Sequence, residues 1–316
     1  MRFNKFFYNI KPLIPRWLQI FARRLLIAHK LKKYTHIWPI DPNGGTPPEG
    51  WKGWPDNKTF AVVLSHDVDT QKGHDQCYLL MDIEERMGFR SSFNFVAEKY
   101  DISGTLIEDI KKRGFEVCVH GLIHDGKLFS SKRIFDQRAI RINEYLKQWG
   151  AMGFTSPSMH HNLDWMHALN ISHSTSTFDT DPFEPQNEAL GTIFPLWVQN
   201  NTEKRIDENG TLSEGRKGFV ELPYTLPQDF TLFILMKEKN IRIWTDKLNW
   251  VSEKKGMALF NSHPDYMNFN KQKNGSLEYD IELYTQFLEH IKNQYKGQYW
   301  HALPKDIARF WQQNYS

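Results

Sequence analysis

The chain has 316 residues, of which 40% are apolar and 24% are charged. This balance predicts a globular protein with a hydrophobic core, and it excludes a disordered or fibrous chain. The length is sufficient for one large α/β domain or for two ordinary ones.

The formal net charge of +3 is unevenly distributed along the chain. No acidic residue precedes Asp41, whereas nine basic residues lie within the first 33 positions: Arg2, Lys5, Lys11, Arg16, Arg23, Arg24, Lys30, Lys32 and Lys33. Because these nine exceed the net charge, the rest of the chain is net acidic. We therefore expect no nucleic acid as a partner of the main domain.

Residues 1–35 are both basic and apolar. Apolar side chains recur at helical spacing after Pro15, which predicts an amphipathic helix; they are Trp17, Ile20, Phe21, Leu25 and Leu26. Two interpretations fit this pattern: the segment lies in the interface of an anionic membrane, or it packs against the main domain as an additional helix. From the first we predict a cytoplasmic protein that contacts the inner face of the membrane peripherally.

Three further features bear on location. The two cysteines, Cys77 and Cys118, lie among apolar residues without CxxC spacing, which indicates buried free thiols and a reducing compartment. Prolines and arginines interrupt the apolar stretch near the start, so we expect no secretory signal. The sequence contains no run of about 18 apolar residues, so we expect no transmembrane helix.

The rest of the chain divides into a linker and one α/β domain. Residues 36–58 are rich in Pro and Gly, which predicts a loop between the basic segment and the domain at 59–316. From there, strand, loop and helix patterns repeat; the apolar run 60–64 reads as a buried strand, for example, and 77–87 as a helix. This alternation predicts parallel βα units in a barrel or an open sheet.

Polar clusters follow three of the predicted strands. Asp67 and Asp69 follow the first strand, His120 and His124 follow the third, and His263 follows a late strand. Functional groups in βα architectures gather at the carboxyl ends of strands. We therefore expect these clusters to meet, although they are far apart in sequence.

The residue types in these clusters indicate a metal site. One Asp with two His is a common ligand set for catalytic zinc, with a fourth position open to water, and a second carboxylate can act as general base. Because His120 and His124 are four residues apart, a helical turn would place both imidazoles on one face. The alternative for either Asp is an ordinary helix cap or an ion pair with Arg.

Five segments together resemble the motifs of the polysaccharide deacetylase superfamily, carbohydrate esterase family four. The segments are 64–69, 88–96, 114–117, 119–126 and 259–263, and the match in order and spacing covers roughly residues 58–270. The resemblance implies an α/β fold, a distorted (β/α) barrel with fewer than eight strands. It also implies hydrolytic removal of acetyl groups, chiefly N-acetyl groups, from a carbohydrate substrate.

The resemblance also implies a role for each matching residue. Asp67 matches the general base and His263 the general acid, whereas Asp69, His120 and His124 match the ligands of one divalent metal ion, for which Zn²⁺ is preferred. Asp179 lies near a further motif of the family. We expect Asp179 and Tyr224 in the cleft as supporting residues.

One position departs from the family pattern. Thr155 stands where these proteins usually have an Arg that orients the catalytic base. A neutral Thr cannot form an ion pair with Asp67, so His66 or a cation from elsewhere is a candidate for that role. The departure keeps two alternatives open: a non-catalytic glycan-binding or scaffold protein, or a cyclic-amide hydrolase on the same barrel.

Overall fold

The computed structural model describes residues 14–186, 188–200, 205–206, 212–213, 218–270 and 274–315. The strands are β1 Phe60–Val68, β2 Ser92–Phe95, β3 Glu116–Val119, β4 Gly153–Phe154, β5 His173–Ser174, β6 Leu196–Gln199, β7 Arg205–Ile206, β8 Leu212–Ser213, β9 Gly218–Glu221, β10 Met257–Ser262, β11 Met267–Asn268, β12 Tyr279–Asp280 and β13 Tyr299–His301. The α-helices are α1 Arg16–Tyr34, α2 Gln71–Met87, α3 Gly104–Lys112, α4 Lys132–Trp149, α5 Leu163–Met166, α6 Arg242–Glu253, α7 Ile281–Gln294 and α8 Pro304–Tyr315. A π-helix spans Phe230–Met236.

The main sheet is curled and mostly parallel. Its order is β10-β1-β2-β3-β4-β5-β9-β6, with β13 also paired to β1. Only β6 runs antiparallel, against β9, which leaves seven parallel strands in this order among the described residues. An isolated bridge from Phe178 to Tyr224 extends the pairing beyond β5 and β9, and one from Leu226 to Phe260 joins the β9 side of the curl to β10 at its other end. The prediction of a distorted barrel with fewer than eight strands is therefore confirmed.

The local sequence explains these elements. All nine residues of β1 are buried, as expected for a parallel strand that is covered on both faces. Helices α2 and α4 end at Gly88 and Gly150, whose φ angles of 86° and 61° are those of left-handed helix caps. Cys77 and Cys118 are buried and free, as predicted.

The N-terminal helix and the linker pack against the barrel. Ile20 and Ile27 of α1 are buried, and the Arg24 guanidinium donates to the Ile234 carbonyl oxygen at 2.9 Å. In the linker, Trp54 is also buried. Residues 1–13 of the basic segment lie outside the described residues. Within the described part of the chain, no helix is long and apolar enough to cross a membrane.

Candidate metal-dependent hydrolase site

Asp69, His120 and His124 converge at the carboxyl ends of β1 and β3. One donor atom from each lies within 4.8 Å of the other two. Nε2 of His124 is 3.2 Å from Oδ1 of Asp69, and Nε2 of His120 is 3.5 Å from the same oxygen. This oxygen is buried and accepts no hydrogen bond within the described residues, which is costly unless a cation binds there. The three side chains therefore fit a divalent ion of the zinc type.

The protonation of Asp69 and His124 suits metal binding, whereas burial lowers the pKa of His120 but the Asp67 and Asp69 carboxylates outweigh burial and raise it. Burial raises the pKa of Asp69, but the His124 and His120 imidazoles outweigh burial and hold this pKa well below its ordinary value. Burial lowers the pKa of His124 to about 4. An ionised carboxylate and a neutral imidazole are the forms in which these residues act as metal ligands.

The loop that carries the two histidines is not helical. The prediction of a helical turn over 120–124 is wrong, because the chain turns sharply at Gly121 and His124, where φ is 67° and 53°. A Cβ atom on Gly121 would lie 2.6 Å from Cγ of Pro157. Glycine is thus required there both for its positive φ and for the close approach of Pro157. The imidazole rings still meet, with their centroids 5.2 Å apart.

Thr155 orients a metal ligand through its backbone. Nδ1 of His120 lies 3.0 Å from the Thr155 carbonyl oxygen, so Nδ1 carries the proton and Nε2 faces Asp69. The Thr155 side chain is buried and hydrogen-bonds Thr175. The residue that replaces the expected Arg therefore supports the site, although not through its side chain.

Two asparagines hold the candidate base. Nδ2 of Asn94 donates to Oδ1 of Asp67 at 2.7 Å, and Nδ2 of Asn261 donates to Oδ2 at 2.8 Å. His66 instead contacts Glu84 and Ser262, and no Lys or Arg pairs with Asp67 among the described residues. His66 therefore does not orient Asp67, and no Lys or Arg takes that role among the described residues. The sequence signal for Asn94 was a polar residue between the two phenylalanines of β2.

These contacts predict the outcome of placing Arg at position 155. Asp67 already has an amide donor on each oxygen, and the Thr155 side chain is only 1% exposed. We expect Thr155→Arg to lower the free energy of unfolding by about 1–3 kcal/mol or more, from overpacking and a buried charge, and to lower acetate release. Chemical denaturation and an activity assay measure both. Higher activity of Thr155→Arg would instead show that Asp67 needs a cation beside it that the wild-type protein does not supply.

His263 is held by a carboxylate that the sequence analysis missed. Nδ1 of His263 lies 2.7 Å from Oδ1 of Asp229, and Oδ2 of Asp229 accepts from the His263 backbone N–H at 2.9 Å. Nε2 of His263 is 4.0 Å from Oδ2 of Asp67. Burial lowers the pKa of His263, but the Asp229 carboxylate outweighs burial and raises it to about 10. His263 is therefore protonated at neutral pH, as a general acid must be.

This pairing predicts the pH dependence of Asp229→Asn. Activity that requires protonated His263 is present below its pKa and is lost as the pH rises through it. Removing the carboxylate leaves burial as the main influence, so the pKa falls and the alkaline limb of the kcat/KM profile moves to lower pH. We expect a shift of at least two pH units, measured between pH 6 and 10.5. An unchanged alkaline limb would contradict the assignment of His263 as the acid.

The two residues expected in the cleft, Asp179 and Tyr224, are buried and do not line the cavity that contains the five candidate groups. Nζ of Lys247 pairs with Oδ2 of Asp179 at 2.5 Å, and this buried pair also binds the Pro39 carbonyl oxygen of the linker. The Tyr224 hydroxyl lies 2.9 Å from Oδ2 of Asp181 and 3.0 Å from Oε1 of Glu184. Asp179 therefore joins the linker to the barrel, whereas Tyr224 supports Glu184.

A cavity of about 680 Å³ connects these groups. Its lining includes all five chemical groups predicted from sequence, namely Asp67, Asp69, His120, His124 and His263. Glu184 and Gln228 line it farther along, and α1 forms another part of its wall. A cavity of this size can enclose a small organic ligand. The barrel thus brings a possible metal-binding group, a buried carboxylate and a His–Asp pair to one cavity.

Solved structures with a similar fold include proteins assigned as polysaccharide deacetylases. The chain is similar to a protein assigned as a polysaccharide deacetylase from Mycobacterium smegmatis, with 16% identity, a TM-score of 0.58, and 85% of this chain and 95% of that one covered. A second such protein, from Pseudomonas aeruginosa PAO1, has 14% identity and a TM-score of 0.56, with 83% of this chain and 94% of that one covered. PuuE allantoinase has 13% identity and a TM-score of 0.61, with 87% of this chain and 96% of that one covered. No protein-family model and no curated protein sequence matches the chain. The resemblance to the polysaccharide deacetylase superfamily is confirmed as a likeness of fold.

Proposed function

We propose that this protein is a metal-dependent hydrolase that removes acetyl groups, chiefly N-acetyl groups, from a carbohydrate during glycan biosynthesis or modification. The main support is the unpaired Asp69 oxygen that faces His120 and His124, beside Asp67 and the His263–Asp229 pair. The ligand set favours Zn²⁺, although it also accommodates other divalent ions.

The residues around the cavity divide the hydrolysis between them. A bound divalent ion supplies Lewis acidity toward water and the acetyl carbonyl. Asp67 takes a proton from water as the water oxygen bonds to the acetyl carbon. His263 then gives its proton to the sugar nitrogen as the carbon–nitrogen bond breaks, which leaves acetate and a free amino sugar. For an O-acetyl substrate, the proton goes to the alcohol oxygen.

The test combines metal analysis with acetate release. We expect about one divalent ion per chain and release of acetate from at least one member of a panel of N- and O-acetylated sugars. His263→Ala should reduce this release about 100-fold or more. Bound metal without any acetate release would favour the non-catalytic glycan-binding or scaffold alternative.

A cyclic-amide hydrolase is the second candidate. The observation in its favour is the fold of PuuE allantoinase, which has a TM-score of 0.61 with this chain. Hydrolysis of a cyclic amide needs the same general base and general acid, because both reactions add water to an amide carbonyl. Ring opening of allantoin, measured beside the acetylated sugars, separates the two activities.

We also propose that the protein is cytoplasmic and binds the inner face of the membrane peripherally. The exposed fractions of Trp17, Phe21 and Leu25 on α1 are 70%, 53% and 58%. Lys32 and Lys33, exposed at the end of the same helix, would favour anionic lipids by about 1 kcal/mol each. We expect co-sedimentation with phosphatidylglycerol vesicles at low salt. Changing the three apolar residues to Ser should abolish it, whereas Ile140→Ser, at an exposed position on α4, should not. Equal sedimentation of all variants would contradict the proposal.

A further inference from the structure

Helix α1 has an unusual distribution of side chains. Arg16, Ile20, Arg23, Ile27 and Lys30 follow the i, i+4, i+7, i+11, i+14 spacing that places them on one face of a helix. Ile20 and Ile27 on this face are buried, so the face points toward the barrel. Arg23 lies between the isoleucines and Lys30 follows them, and both are only partly exposed, whereas Arg16 lies at the exposed start of the line.

These three cations line the cavity that contains the catalytic groups. Arg16, Arg23 and Lys30 all contribute to its wall. The Arg23 guanidinium lies over the Phe230 ring at 4.9 Å, and Nζ of Lys30 donates to the Pro182 carbonyl oxygen at 2.6 Å. None of the three forms an ion pair with a carboxylate among the described residues. Unpaired cations in a concave site are suited to an anionic ligand.

The neighbouring acidic groups do not cancel this charge. Glu184 lies on the same cavity wall and is 8% exposed. One hydroxyl, that of Tyr224, lies within hydrogen-bonding distance of both Glu184 and Asp181, and its single proton can satisfy only one of them. Burial and the adjacent Asp181 raise the pKa of Glu184 to about 8. Even with both Glu184 and Asp181 ionised, two carboxylates lie beside the three cations Arg16, Arg23 and Lys30, so this part of the cavity retains positive charge beyond the metal site.

The other face of α1 is apolar and exposed. Trp17, Phe21 and Leu25 form a line at four-residue spacing, and none of them lines the cavity. Leu18 and Leu26 are 40% and 51% exposed, yet both contribute to the cavity wall. Apolar surface thus continues from the outside of the helix to the mouth of the cavity. A helix whose outer face contacts only water would instead turn its apolar side chains toward the protein and its cations toward water.

We infer that the substrate is an acetylated sugar carried on a membrane lipid through an anionic linkage, such as a phosphate. Arg16 and Arg23 bind the linkage, and the lipid chain leaves the cavity past Leu18 and Leu26 toward a bilayer in contact with Trp17 and Phe21. This inference rests on the proposed deacetylase function and specifies its substrate class. It assigns α1 to substrate recognition, because one helix supplies both the cations in the cavity and the apolar outer face.

A binding experiment tests the inference independently of catalysis. Isothermal titration calorimetry compares farnesyl phosphate, farnesol and inorganic phosphate on the intact protein. We expect farnesyl phosphate to bind at least tenfold more tightly than either of the others. The double variant Arg16→Gln, Arg23→Gln should bind farnesyl phosphate with about tenfold lower affinity and should keep its affinity for farnesol. The matched control is Lys32→Gln, Lys33→Gln, which removes two cations of α1 that do not line the cavity.

A kinetic experiment then distinguishes a lipid-borne anion from a free one. Three substrates carry the same N-acetylglucosamine: the methyl glycoside, the 1-phosphate, and the farnesyl phosphodiester in phosphatidylcholine–phosphatidylglycerol vesicles. We expect kcat/KM to rise about tenfold at each step. Phe21→Ser with Leu25→Ser should lower the rate only for the lipid substrate. Equal rates for the phosphate and the lipid would show a free sugar phosphate as the substrate and overturn the lipid part of the inference.

Other outcomes would overturn the inference as a whole. The inference is wrong if farnesyl phosphate binds no more tightly than farnesol. It is also wrong if the double Arg variant loses affinity for farnesyl phosphate and for farnesol by the same factor. A wild-type dimer that Phe21→Ser and Leu25→Ser convert to a monomer, with unchanged vesicle binding, would show that the outer face of α1 joins two copies of the chain. Absence of acetate release from all three substrates would count against the proposed function, while the calorimetry still decides the inference.

Discussion

Asp67→Asn is expected to reduce acetate release by about 100- to 10,000-fold while the protein stays folded and keeps its metal. The reason for the loss is that an amide cannot take the proton from water. The fold should persist because Oδ1 of Asn94 and Oδ1 of Asn261 are both buried and have no hydrogen-bond partner in the described part of the chain. Either amide can therefore rotate and accept a hydrogen bond from the new Asn. Steady-state kinetics with metal analysis and circular dichroism measure the three properties.

The matched control for Asp67→Asn is Asp75→Asn. Asp75 is an exposed carboxylate on α2 that contacts Gln71 and His74 and does not line the cavity. Its replacement should leave acetate release within about twofold of the wild type. If Asp67→Asn also retains activity near the wild-type level, Asp67 is not the base and another group must accept the proton.

His120→Ala and His124→Ala are expected to remove the bound ion and, with it, all measurable activity. Each variant leaves only two of the three ligands, and a catalytic site with three protein ligands tolerates such a loss poorly. We expect metal content to fall from about one ion per chain to below about 0.1 after dialysis. Elemental analysis by inductively coupled plasma mass spectrometry measures this directly, and added Zn²⁺ should restore little activity.

A second cluster of possible ligands supplies the control for metal content. Glu116, Cys118 and His173 are buried, with donor atoms within 4.8 Å of one another, and Glu116 and His173 begin β3 and β5, at the opposite strand ends from the candidate site. Cys118→Ala should leave the ion bound if Asp69, His120 and His124 hold it. Loss of the ion in Cys118→Ala, together with its retention in both His variants, would move the metal to the other end of the barrel.

The sequence was sufficient to predict parallel βα units and the convergence of the candidate ligands, because both follow from local patterns, whereas the barrel was implied by the family resemblance. Apolar runs such as that of β1 specify buried parallel strands, and the glycines that end α2 and α4 specify where those helices stop. The rule that functional groups follow strands then placed Asp69, His120 and His263 at one end of the barrel. None of these steps requires knowledge of which distant side chains touch.

The partners of the catalytic groups depend on contacts between distant segments, so only the tertiary structure could identify them. Asp67 and Asn261 are 194 positions apart, and Asp229 and His263 are 34 positions apart. Thr155 was noted for its missing charge, but its backbone carbonyl is what orients His120, and a carbonyl carries no sequence signal. The expected helical turn at His120 failed for a related reason, because the packing of Pro157 against Gly121 decides the path of that loop.

Helix α1 shows most clearly what the sequence determined by itself and what it left open. Its spacing of apolar and basic residues predicted an amphipathic helix, and this followed from helical periodicity alone. The sequence did not determine which face meets the barrel, because the line of Arg16, Ile20 and Arg23 and the line of Trp17, Phe21 and Leu25 are both regular. The tertiary structure decides this: the barrel buries Ile20 and Ile27, which turns the cations of that line toward the cavity and leaves the aromatic line exposed.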